Sequence, residues 1–144
     1  MDTPGTGGHP QADLLAIAHR GVRLQTAAER AIAGCLGPDP GASARECGRL
    51  LARYYRLRGE LAALPLMGPL LRFRGELDTV LLCHQFVLHE AALSGCRMRR
   101  WADTHHGSSL VLGLPGERLR DLRDEILDCV SPAEEAARDD VRQG

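Results

Sequence analysis

Apolar positions recur every three or four residues along most of this chain, the period of a helix with one buried face. From about Gln11 to Leu36, the residues Leu14, Ile17, Ala18, Gly21, Leu24, Ala28, Ile32 and Cys35 fall on one arc. His19, Arg23, Thr26 and Arg30 fall on the opposite arc. Gly37-Pro38 ends the pattern: glycine suits a left-handed cap and proline cannot continue the helix. A second helix is predicted from about Ala44 to Leu64, opened by the capping box Ser43-x-x-Glu46. Its inward stripe is Cys47, Leu50, Tyr54, Leu57 and Leu61. Pro65 to Pro69 forms a stiff turn, with Pro69 suited to a first helical position.

The third helix, from near Pro69, is apolar over an unusually wide arc. Leu70, Phe73, Leu77, Val80, Leu81, His84, Val87, Leu88 and Ala91 make one broad face, and Leu71, Leu82, Phe86 and Leu93 add a second flank. Such a helix is central or lies at an interface. Its phase persists through Met98 and Ala102, so it runs to about Thr104 if Gly95 is tolerated inside it. After a short apolar connector, Ser109 to Pro115, a fourth helix runs from about Gly116 to Val130 with Leu119, Leu122, Ile126 and Cys129 in phase. Ser131-Pro132-Ala133-Glu134 reads as another capping box and predicts a short terminal helix. The expected architecture is all-α: an antiparallel four-helix bundle over residues 11–131, with a flexible tail at 1–10 and a short fifth helix and tail at 132–144.

Charge refines this picture. The 144 residues suit one domain. All 18 cationic side chains are arginine, against 19 acidic ones, for a net charge of −1. A GC-rich coding sequence accounts for the missing lysine, but every cation here is a planar fork able to hold a carboxylate in two bonds. The near-neutral sum hides a polarity: residues 45–100 carry ten arginines and five acids, and residues 101–144 carry five arginines and ten acids. Arg45, Arg49, Arg53 and Arg56 make a ridge on the second helix, and Glu117, Asp121, Asp124 and Asp128 an acidic stripe on the fourth. Stripes of opposite sign are expected to face each other or a partner.

Several chemistries lack their residues. The first ten residues do not read as a signal peptide, and no apolar run approaches the ~20 residues of a membrane span. The five cysteines form no Cys-x-x-Cys pair and read as reduced thiols, so a cytoplasmic protein is expected. No glutamate is followed by a histidine three residues later, which removes the di-iron bundle pattern. There is no His-Glu-x-x-His helix, no Gly-x-Ser-x-Gly elbow and no lysine-bearing phosphate loop.

Three readings remain. A non-enzymatic interaction or regulatory module, self-associating or bound to another protein, uses the charged stripes and the second flank of the third helix. A ligand or metal pocket, enzymatic in one version, would form around His84 with Tyr54, Tyr55, Arg58 and His89 or Cys83. His84 sits mid-way along an apolar face, where a neutral core histidine bonded to a neighbour is the simpler alternative. Nucleic acid would use the arginine ridge and Arg97 to Trp101, but a near-neutral chain with five aromatic residues weighs against it. Cys96, Asp103 and His106 are a weak zinc candidate, lacking a tight cysteine pair. No cofactor is expected, and the first reading is preferred.

Overall fold

The computed structural model describes residues 8–105 and 112–142, with side-chain surroundings for residues 8–93 and 112–130. All regular structure among the described residues is helical. Helices α1 (Pro10–Arg23), α2 (Gln25–Gly34), α3 (Pro40–Ala63), α4 (Leu71–His105) and α5 (Gly113–Arg142) follow in order, with a single 3-10 turn at Gly68–Leu70 before α4. The chain is therefore all-α. Helix α3 packs most extensively on α4 and also touches α2 and α1, while α5 packs on α1 and α4.

The expected apolar faces meet in one core. Leu14, Ile17 and Ala18 of α1, Leu50, Tyr54, Leu57 and Leu61 of α3, Phe73, Leu77 and Leu81 of α4, and Leu119, Leu122 and Ile126 of α5 are all buried. Each fully buried leucine contributes roughly 1.5–3 kcal/mol of apolar transfer free energy. Small residues set the closest approach of α2 and α3. A Cβ on Gly34 would fall 2.1 Å from Ser43 Oγ, so only glycine fits there without a shift. Gly68 adopts φ +63°, a conformation open to glycine, and turns the chain from the Pro65–Met67 segment into α4.

The structure departs from expectation at three places. The first predicted helix is interrupted at Leu24. There the hydroxyl of Tyr54 donates to the carbonyl of Gly21 at 3.0 Å, the acceptor that Gln25 N–H would use in an unbroken helix. A side chain inserted into the ladder accounts for the break. Helix α3 begins at Pro40 rather than Ala44, because Asp39 Oδ1 accepts from Ala42 N–H at 3.2 Å and proline takes the first helical position. Ser43 lies one turn inside the helix, its backbone N–H bonded to Asp39 O.

The fourth and fifth predicted helices are one element. Helix α5 begins at Gly113 and continues through Ser131-Pro132 to Arg142, so no separate short helix forms at 132. A Ser-Pro-x-Glu sequence carries the same residues whether it opens a helix or sits inside one. The proline removes one ladder donor, while the Ala133–Arg138 segment that follows favours helix. Helix α4 runs unbroken to His105, with Gly95 in its interior.

Candidate functional site

His84 is fully buried, and its surroundings are settled by hydrogen-bond logic. Its Nδ1 lies 2.7 Å from the carbonyl of Val80, an acceptor only, so Nδ1 carries the proton. Its Nε2 therefore accepts, and Gln25 Nε2 donates to it at 3.1 Å. The same amide nitrogen donates its other hydrogen to Gly116 O at 3.0 Å, and Arg120 donates to Gln25 Oε1 at 3.1 Å. The Tyr54 ring packs against the imidazole with centroids 5.1 Å apart. Burial lowers the His84 pKa below its usual value, against the raising effect of the Val80 bond, and Arg120 adds to the lowering. The imidazole is a neutral core group with both nitrogens used. Gln25, polar yet 4% exposed, is the partner that periodicity does not identify.

Of the other residues of the expected pocket, Tyr54 stays with His84 and Tyr55, Arg58 and His89 do not. Tyr54 joins His84, its hydroxyl spent on Gly21 and its pKa raised chiefly by burial. Tyr55 and Arg58 lie together on the far flank of α3, in a groove of about 580 Å³ shared with Leu71 and Asp78 of α4. Arg58 is held there by Asp78 at 2.8 and 3.3 Å and by Gln85 at 2.9 Å. His89 is exposed on α4 and Cys83 is half-buried. The structure thus makes two pairs, Tyr54 with His84 and Tyr55 with Arg58, and does not gather the set.

Two further chemistries can be placed. Cys35 and Cys47 approach to 3.9 Å between sulfurs in the core. Burial, with Cys35 adding to it, pushes the Cys47 thiol up to about 12, far from the thiolate that reactive chemistry needs. No group of three or more histidine, cysteine or acidic side chains among the described residues is arranged to hold a metal ion. The side chains of Cys96 and Asp103, and all of His106, lie outside the described residues.

The charged stripes are solvent-facing. Arg45, Arg49, Arg53 and Arg56 are exposed on α3, and Glu117, Asp121, Asp124 and Asp128 on α5. Among the described residues no ion pair joins the two stripes. The ridge is not uniform. Arg49 pairs with Glu46 at 2.9 Å, one turn away. Arg53 and Arg56 instead line a cleft of about 370 Å³ with Arg20 and Arg23 of α1 and Leu24 after it, floored by Leu57. The pair Arg20 and Arg23 repeats the three-residue spacing of Arg53 and Arg56. That spacing was readable in the chain, but only the crossing of α1 over α3 makes it converge.

Glu60 stands beside this cleft, outside its lining. Arg20 holds Glu60 through both terminal nitrogens, the second bond at 3.1 Å. The bond to Arg20 pulls the Glu60 pKa down, and the charges of Arg20 and Arg56 add to the effect. Arg23 and Arg53 make no ion pair among the described residues.

The outer face of α4 is the remaining feature. Leu82, Phe86 and Leu93 are 46%, 64% and 69% exposed, on the side opposite buried Leu77, Leu81, His84 and Leu88. Compared with models of protein families, with curated proteins and with solved structures, the chain matches none of them. Among the described residues no helix is long and apolar enough to cross a membrane.

Proposed function

We propose that this protein is a non-enzymatic helical interaction module that pairs with a second copy of itself through the outer face of α4. The observation that carries the reading is the exposed row Leu82, Phe86 and Leu93. With Thr79 and His89 these residues occupy alternating three- and four-residue steps, the a and d spacing of a two-helix seam. An apolar row of this spacing calls for a helix with the same pattern, and α4 of a second copy carries it.

Charge supports a second copy as the occupant. Helix α4 packs against both α3 and α5, which bear the basic and acidic stripes. In a pair with its two-fold axis along α4, α3 of each copy stands on the side of the other's α5. The Arg45–Arg56 ridge and the Glu117–Asp128 stripe come level where Arg56 and Glu117 approach the height of His84, and their attraction at that level favours this orientation. Such exposed charges contribute only ~0.2–1 kcal/mol per pair, so they select orientation while the apolar row contributes the adhesion. Within each copy, α1 and α2 act as one broken rod that completes an antiparallel four-helix bundle with α3, α4 and α5.

Sedimentation at tens of micromolar tests the reading. The wild-type chain is expected at twice its monomer mass and Phe86→Asp at the monomer mass with unchanged helical content, since Phe86 is mostly exposed. A wild-type monomer at that concentration overturns it.

A further inference from the structure

The cleft between α1 and α3 is a separate feature from the α4 seam. It opens on the flank of α3 that carries Arg53 and Arg56, whereas Tyr55 and Arg58 turn toward α4. Four guanidinium groups line about 370 Å³, and Glu60, outside that lining, pairs with Arg20, which leaves a local excess of three positive charges. Gathering like charges is unfavourable unless an anion relieves it. Guanidinium groups in turn offer paired donors that fit phosphate oxygens two at a time.

We propose that this cleft binds a small molecule carrying two or more phosphoryl groups. Three observations select that class. The charge excess exceeds what one monoanion neutralises. The volume falls in the range of small-ligand sites, roughly 300–1,000 Å³. The lining is arginine and leucine, with no aromatic ring on which a base could stack, so the phosphates are what is recognised. A nucleic-acid strand needs a continuous track, and the next arginine along α3, Arg49, is outside the cleft and paired with Glu46.

Glu60 sets the affinity from beside the cleft, through Arg20. Its carboxylate already occupies the fork of Arg20, as one phosphoryl group would. A ligand must displace it or bind beside it, so Glu60 weakens binding while it keeps the empty cleft from full self-repulsion.

Isothermal titration of the full-length chain with inorganic tripolyphosphate at low ionic strength tests this. One equivalent is expected to bind. Arg23→Gln and Arg53→Gln should each weaken binding about tenfold or more, the loss of one strong charge-assisted contact. Both variants should melt like wild type, because neither arginine makes an ion pair among the described residues. Arg49→Gln should bind as wild type, and Glu60→Gln should bind several-fold tighter. The monomeric Phe86→Asp variant should bind unchanged, which separates this site from the pairing of copies. Any of four results overturns the proposal: no binding at millimolar tripolyphosphate, an Arg49→Gln loss equal to that of Arg53→Gln, orthophosphate bound as tightly as tripolyphosphate, or an oligonucleotide whose affinity grows with length and depends on Arg45 and Arg49.

Discussion

The polar knot around Gln25 and the arginine cleft on the α1–α3 flank hold the same kinds of groups under opposite conditions. In the knot, Gln25 gives both amide hydrogens and its carbonyl oxygen to His84, Gly116 and Arg120, and His84 spends its second nitrogen on Val80. Water is excluded there, so an unmade bond would be expensive, and the network closes on itself. In the cleft, water reaches the guanidinium groups, and the fold leaves Arg23 and Arg53 without an ion pair among the described residues. The buried histidine is the residue that draws attention in the sequence, yet its bonding capacity is exhausted by the fold. Donor capacity left over for a ligand is on the surface, in residues that look like ordinary solvated charge.

The sharpest way to break this contrast is to remove the amide at the centre of the knot. Gln25→Leu strands the His84 acceptor, which costs about 1–3 kcal/mol, and takes a donor from the Gly116 carbonyl as well. Urea unfolding should show a midpoint shift of that size with an unchanged slope. An equal loss from Arg53→Gln, or none from Gln25→Leu, would dissolve the distinction between the two regions.

A second test uses pH. Burial holds the His84 pKa below its unfolded value of about 6.5, so the unfolded chain binds a proton first. Stability from this residue is full above pH ~6.5 and is lost as pH falls from there toward the lowered folded pKa. The slope from one such group reaches at most ~1.4 kcal/mol per pH unit. Urea midpoints measured between pH 7 and 5 should fall more steeply for wild type than for His84→Gln. Parallel curves would mean that His84 takes up its proton as readily in the folded chain as in the unfolded one, which the Gln25 donor forbids.

What could be read in the chain follows from how local each cause is. The buried stripes on α3 and α4 were legible, because helical period alone decides which residues share a face. The break at Leu24 was not, since it depends on Tyr54, thirty residues away, reaching the carbonyl of Gly21. The α3 start was misread because Ser43-x-x-Glu46 and Asp39-Pro40 are both valid openings, and the earlier one captured the helix. Continuation of α5 past Pro132 was hidden for a similar reason: a Ser-Pro pair marks a helix start only when nothing upstream is already helical. Half of the ridge, Arg53 and Arg56, was visible as spacing. Its partners Arg20 and Arg23 needed the packing of α1 on α3.

The smallest expected effect is at the boundary between the two regimes, at Glu60. This carboxylate is paired with Arg20, but both side chains are about two-fifths exposed, 41% and 44%. Solvent screens such a pair, and Glu60→Gln should change stability by less than ~1 kcal/mol. Polar groups of comparable size therefore carry very different weights: Gln25 matters to folding because nothing else can satisfy His84, while water can replace Glu60 at Arg20. The lowered pKa of Glu60 places its small contribution above the usual carboxylate range, to be lost as pH falls through it. A melting curve that barely moves, paired with a several-fold change in tripolyphosphate affinity in the same Glu60→Gln protein, would assign this residue to the cleft's ligand balance and not to the fold. A stability loss as large as that of Gln25→Leu would instead make the Arg20–Glu60 pair a structural clamp and leave the cleft with three arginines, Arg23, Arg53 and Arg56, free to bind.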